Sequence, residues 1–229
     1  MTVRPTAPAI WMRPERAAAG RPPSRSRAEI TAAAIALADR EGLQAVSMRR
    51  VAAELGTGAA SLYRYLDTRE DLLDLMSDAA GSEYRLDPPT GNWLRDLTEL
   101  GRQARTIMGR HPWLADLAPR RPALGPNGLT LLQYFLEVLE PHPAGNAVKL
   151  EAFGMLMAVT AVFVQAEHSD SSVSQQRNAA YLEQAVSSGE YPRLGQLLAE
   201  SVVAPDDPDR YAKVIGRVIS GLLGTGPAR

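Results

Sequence analysis

Apolar positions recur at helical spacing along most of the chain. Ile30, Ala33, Ala34, Leu37 and Ala38 share one face of a helix that Ser26 and Glu29 can open as a capping box and Gly42 can close. Val51, Ala52 and Leu55 follow the cap candidate Ser47 and predict a second, shorter helix ending at Gly56. After Thr57 and Gly58 comes a third, with Leu62 and Leu66 as its inward pair and Ser61, Tyr63, Arg64 and Tyr65 on its outward face. Asp67 or Thr68 can cap a fourth, with Glu70 and Asp71 in its first turn and Leu72, Leu73, Leu75 and Met76 supplying apolar surface. Beyond Ala80, clusters of Pro and Gly separate helices expected at 92–110, 112–118, 129–139, 146–166, 173–188, 191–201 and 209–223. No alternating strand pattern or internal repeat stands out. The expected fold is all-α, a three-helix helix-turn-helix unit joined to a larger helical body.

Composition adds bounds. An apolar fraction of 45% in 229 residues supports a substantial core and either one large or two small domains. The net charge of −1 conceals an asymmetry: residues 1 to 70 hold eleven Arg against seven Asp and Glu, a net of +4, leaving −5 on the remainder. The basic end bears the helix-turn-helix pattern, as phosphate neutralisation favours. Without cysteine there is neither a disulfide framework nor thiolate chemistry, which fits a reducing cytoplasm. Residues 1–25 contain five Arg, six Pro or Gly and one Glu, read as a flexible basic arm lacking the apolar run of a signal peptide. Such an arm is either a solubilising tail or a source of phosphate or minor-groove contacts from Arg21, Arg25 and Arg27. Ile10, Trp11 and Met12 are unusual in it and suggest a piece that packs somewhere specific. The expected division is this arm, a helix-turn-helix domain with its connecting helix at 26–80, and a helical regulatory and dimerisation domain at 81–229.

The outward face of the third helix carries the chemistry. A guanidinium there can fork onto guanine and a tyrosine hydroxyl can bind phosphate. The same spacing also serves purely structural helical hairpins, and Tyr63 could simply pack at a domain edge. Catalysis is not advertised: there is no HExxH, no GxSxG and no phosphate-cradling GxxxxGKS. His111, His142 and His168 show no metal-ligand spacing, so no catalytic residue, metal or cofactor is expected.

Quoted in order, EGLQAVSMRRVAAELG, TGAASLYRYL and DTREDLLDLM resemble the TetR family of one-component transcription regulators over Ile30 to Leu75. A weaker likeness continues through HPWLADL, GPNGL and SGEYPRL. The resemblance implies that Arg49 reaches base edges and that Ser47 and its neighbouring amides approach phosphate. It places Thr57, Ala59 and Ala60 at the entry of the recognition helix, with Tyr63 as the phosphate-binding tyrosine. Arg64 and Tyr65 fall at variable base- or phosphate-contacting positions, and Arg69 at a phosphate contact. Gly58 departs from the frequent Ser or Thr cap, leaving helix donors to other partners.

Two C-terminal helices point to a dimer. Residues 152–164 are apolar nearly all round, yet this run of thirteen is too short to span a bilayer comfortably, so burial on both faces is expected and no membrane partner. The last helix combines a broad apolar stripe with a column of small side chains at Ala212, Gly216 and Ser220. Family members dimerise through a bundle of two such helices per subunit, which nominates Phe153, Met157, Ala161, Val164, Ala212, Ile215, Gly216, Ile219 and Leu222 as the homodimer interface. A monomer burying both helices internally is the alternative. A two-fold dimer would present paired helices to a pseudo-palindromic double-stranded DNA operator. A regulator would also enclose a hydrophobic small-molecule effector of unknown identity. Trp93, Met108, His111, Trp113, Phe135, Met155 and Met157 are the bulky or adaptable candidates. An effector-independent architectural DNA-binding protein would instead have a closed, fully packed body.

Overall fold

The computed structural model describes residues 9–13, 25–119, 124–168, 172–201, 207 and 209–224, and the secondary structure among them is helical. The first helix, α1 (Arg27–Glu41), opens on a complete capping box: the Ser26 hydroxyl accepts from the Glu29 amide at 3.1 Å and the Glu29 carboxylate from the Ser26 amide at 2.7 Å. Helix α2 (Met48–Glu54) is capped by the Ser47 hydroxyl, which accepts from the Arg50 amide at 3.3 Å. The chain then turns at Gly56, whose φ of +64° suits a residue without Cβ, into the one-turn helix α3 (Ala59–Leu62). Thr68 and Asp71 form a second capping box at the start of α4 (Arg69–Gly81). Each cap contributes about 1 kcal/mol, so caps fix the boundaries while burial supplies most of the stability.

The body comprises α5 (Trp93–Arg110), α6 (Pro112–Leu117), α7 (Pro126–Val138), α8 (Asn146–His168), α9 (Ser172–Ser187), α10 (Pro192–Ser201) and α11 (Arg210–Leu223). Pro112 and Pro126 stand at first helical positions, where the missing N–H costs nothing, and Pro126 starts α7 three residues ahead of the expected Leu129. By length and composition α8 could cross a membrane, but here it packs against α5, α6, α7 and α11 as the central helix.

Packing joins the helix-turn-helix unit to the body. Ile30, Leu37, Val51, Leu62, Leu66, Leu72 and Met76 form a core that continues into Ile107, Met108, Trp113 and Leu114 from the α5–α6 corner and Ala161 and Val164 from α8. A second cluster gathers Leu97, Leu100, Phe135, Leu156, Ile215 and Ile219. Tyr211 ties it together, donating to the Gly101 carbonyl at 2.7 Å while meeting the Thr160 hydroxyl at 2.7 Å. Near the N-terminus, Ile10–Met12 form a 3-10 turn against α4, with Ile10 1% exposed. The rest of the expected arm up to residue 24, including Arg21, lies outside the described residues.

Candidate nucleic-acid interface and effector cavity

Gly58 caps α3 without a side-chain bond, while the Ser61 hydroxyl turns back onto the Gly58 carbonyl at 2.7 Å and meets the Thr57 hydroxyl at 2.8 Å. These local bonds fix the entry of the short helix, where Thr57 and Ala59 are half-buried and Ala60 is exposed. Leu62 and Leu66 are sealed beneath it. Tyr63 is 51% exposed, and Arg64 and Arg49 are exposed as well. Neither arginine forms an ion pair among the described residues, whereas neighbouring Arg50 is held by Glu41 at 2.7 Å. Tyr63 and two guanidinium groups without ion pairs are therefore open to solvent on the helix-turn-helix unit, and these are side chains suited to phosphate and base edges.

Two expected contacts are corrected. Tyr65 is only 7% exposed and belongs to the core. The helix tightens after Leu62: the Tyr65 amide donates to the Leu62 carbonyl at 2.9 Å, and this i to i+3 spacing eclipses the two side chains instead of turning Tyr65 outward. Arg69 folds inward, donating to the carbonyls of Val46 at 2.9 Å and Leu43 at 3.3 Å, and so anchors the α1–α2 connection. Ser47 is half-buried and serves as a cap. Arg27 donates to the carbonyls of Tyr65 and Arg13, and Arg25 to that of Leu55, so both tie the chain at the start of α1 to its neighbours.

A cavity of about 290 Å³ lies between α4 and helices α5 to α8. Ser77 and Gly81 of α4 form one wall, and Met108, Leu131, Phe153 and Met157 close much of the rest. Tyr84 is its main polar handle, its hydroxyl resting 3.9 Å from the weakly accepting Met157 sulfur. Burial, helped by Glu83, pushes Tyr84 ionisation well above the ordinary phenol range, so it offers a neutral O–H.

Met108 and Met157 thus line the cavity, and the other candidates do not. Phe135 and Trp113 are packed core, and Trp93 is buried with its ring edge-on to His142 at 5.1 Å. His111 bridges two carboxylates, Asp39 through Nδ1 and Glu83 through Nε2, each at 2.8 Å, and Trp113 Nε1 also donates to Asp39 at 2.6 Å. Met155 is 43% exposed and points outward. Sequence reading missed Ser77, Tyr84, Leu131 and Phe153 as lining, because only the packing of α4 against α7, and of α7 against α8, reveals that they surround a space.

Four of the expected dimer residues need correction. Ala161, Val164, Ile215 and Ile219 are fully buried within the protomer, and a side chain facing its own core is not on offer to a second subunit. Phe153 and Met157 face the cavity, and Leu222 packs on the inner cluster. Gly216 and Ala212 are half-buried, and a Cβ added at Gly216 would meet Leu94 of α5 at 3.9 Å, an ordinary contact distance. The outward apolar surface of α8 is instead Leu150, Met155 and Val162, the last 62% exposed.

The structure thus joins a helix-turn-helix scaffold with exposed Tyr63 and Arg64 to a helical body that holds a cavity. The sequence profile described as "Bacterial regulatory proteins, tetR family" matches residues 30–76, and "Tetracyclin repressor-like, C-terminal domain" matches 85–225. The chain belongs to the TetR family. It is 31% identical to the HTH-type transcriptional repressor DrrR1 of Streptomyces coeruleorubidus, over 93% of this chain and 83% of that protein. The solved structure of the TetR family protein ActR of Streptomyces coelicolor in complex with (S)-DNPA is similar at TM-score 0.76 and 29% identity, covering 89% of this chain and 99% of that one. ActR in complex with actinorhodin is similar at TM-score 0.73 and 29% identity, over 87% and 97% of the two chains.

Proposed function

We propose that the protein is a ligand-responsive repressor that binds a pseudo-palindromic operator as a homodimer in the cytoplasm and is released by a small hydrophobic effector. Tyr63, Arg64 and Arg49, with Thr57, Ala59 and Ala60 at the helix entry, form the operator face. Domain roles follow the chain, with residues 26–80 reading DNA and 81–229 regulating and dimerising. The outward face of α8, around Leu150, Met155 and Val162, takes the partner subunit together with α11.

The observation that carries the effector reading is that α4, the helix leading out of the reading unit, itself forms a wall of the cavity through Ser77 and Gly81. A molecule seated there presses directly on α4, and a small shift of α4 changes the spacing of two reading faces. The cavity also weighs against an architectural DNA binder, which has no use for an internal space. Its lining favours a largely apolar effector with a hydrogen-bond acceptor opposite Tyr84. Support comes too from the repressor DrrR1 and from the ligand complexes of ActR.

The test is a thermal-shift screen of apolar acceptor-bearing compounds, with actinorhodin as first probe, followed by gel shifts on a selected operator. Compounds that raise Tm are expected to lower operator affinity, and Met157→Trp, which fills the cavity, to abolish both effects. Compounds whose binding is lost in Met157→Trp but which never alter operator affinity contradict the reading.

A further inference from the structure

The Ile10–Arg13 element is built into both parts of the molecule, yet DNA reading and effector binding as described above make no use of it. Ile10 is sealed in the N-terminal core. Arg13, its side chain 16% exposed, forks onto Asp67 and Asp71, one terminal nitrogen to each carboxylate. Asp71 is also the cap partner of α4, accepting the amides of Asp67 at 2.9 Å and Thr68 at 3.0 Å. Burial alone would raise the Asp71 carboxyl, but Arg13 and these amides outweigh it and hold the group below its ordinary value.

From Arg13 the contacts lead to the reading face. Its carbonyl accepts from Arg27 Nη1 at 2.9 Å, and Arg27 Nε donates to the Tyr65 carbonyl at 3.1 Å. That carbonyl lies one residue beyond Arg64 and two beyond Tyr63. In the other direction, Trp11 reaches the body. At Gly125, which caps α7, an added Cβ would lie 2.6 Å from Trp11 Cζ2 and collide with the Asp78 carboxylate. Asp78 of α4 in turn accepts the Gly128 amide and the Asn127 side chain of α7, each at 3.0 Å. Gly128 also lines the cavity.

We propose that Ile10–Arg13 is a positioning strap: Arg13 sets the pitch at which Tyr63 and Arg64 are presented to DNA, and Trp11 ties that setting to the α4–α7 seam beside the cavity. The strap rests on the reading of Tyr63 and Arg64 as operator contacts. Arg13 acts here as a positioning residue and not as a phosphate contact: its side chain is 16% exposed and two of its five N–H donors are held by the Asp67 and Asp71 carboxylates.

The experiment uses the full chain and a duplex selected by the wild type from a random-sequence library, with an unrelated duplex as control. Fluorescence anisotropy is recorded for wild type, Arg13→Ala, Arg13→Lys and Trp11→Ala across a salt series. Arg13→Ala is expected to weaken the selected duplex by on the order of tenfold, comparable to one wrong base pair. The control duplex and the slope of log K against log salt should stay unchanged, because no phosphate contact is lost. Arg13→Lys should restore part of the loss. Trp11→Ala, which leaves the Arg13 pairs in place and guards against an Arg13→Ala chain that fails to fold, should show a smaller loss of the same kind. The strap is overturned if Arg13→Ala and Arg13→Lys bind as the wild type. It is equally overturned if Arg13→Ala weakens both duplexes alike and lowers the slope by about 1, the signature of a direct phosphate contact. A wild type that enriches no sequence overturns the underlying operator reading, an outcome distinct from either of these.

Discussion

At the scale of single residues, neighbouring tyrosines separate structure from function. Tyr63 and Tyr65 share a ring chemistry, but one is half in solvent and the other is closed over Leu62. Tyr65→Ala is expected to cost about 3 kcal/mol through lost burial and a residual cavity. Tyr63→Ala is expected to change stability by less than about 0.5 kcal/mol, as exposed substitutions do, while weakening DNA binding. Paired denaturant melts and anisotropy titrations check this; equal destabilisation by both substitutions would contradict the assignment. Tyr63, Arg64 and Arg49 were legible in the sequence because their exposure follows from the positions of Leu62 and Val51. Tyr65 was not, since a helical wheel assumes regular geometry and the turn after Leu62 tightens. The inward folding of Arg69 and Arg27 depends on carbonyls 23 and 38 residues away in the chain, which no local pattern announces.

Among the elements, boundaries were largely written in caps. Ser26 with Glu29, Ser47, Thr68 with Asp71, and Asn92 each bond the backbone amide that the local sequence suggests or permits. Which face of each helix looks outward was much less legible in the C-terminal half. Helix α8 is apolar on nearly every side, so composition alone did not say that Ala161 and Val164 face inward while Met155 and Val162 face out. Close helix approach is equally silent in sequence. Gly101 lets α5 meet α11, and a Cβ there would lie 2.9 Å from the Tyr211 hydroxyl that bonds the Gly101 carbonyl. Gly101→Ala is therefore expected to destabilise the body by about 1–3 kcal/mol despite alanine's better helix propensity, because overpacking exceeds that gain. A rise in Tm for this variant would show that α11 is not held as described.

For the whole molecule, the account joins an exposed reading face, a hollow body and a shared helix between them. The continuous core through Met76, Met108 and Trp113 makes α4 a structural part of both halves, and in the proposed mechanism this packing is what carries effector occupancy to the reading geometry. The central claim is that Arg64, on a face repeated by a two-fold partner, reads bases in duplex DNA. Its most direct test is selection of bound duplexes from a random library by the wild type and by Arg64→Ala, each sequenced to define its preferred site. The wild type is predicted to enrich a two-fold symmetric sequence with half-site centres about 10 base pairs apart, and Arg64→Ala to lose preference at symmetry-related positions within it. An unsymmetrical wild-type site, or an identical preference in both chains, would contradict it.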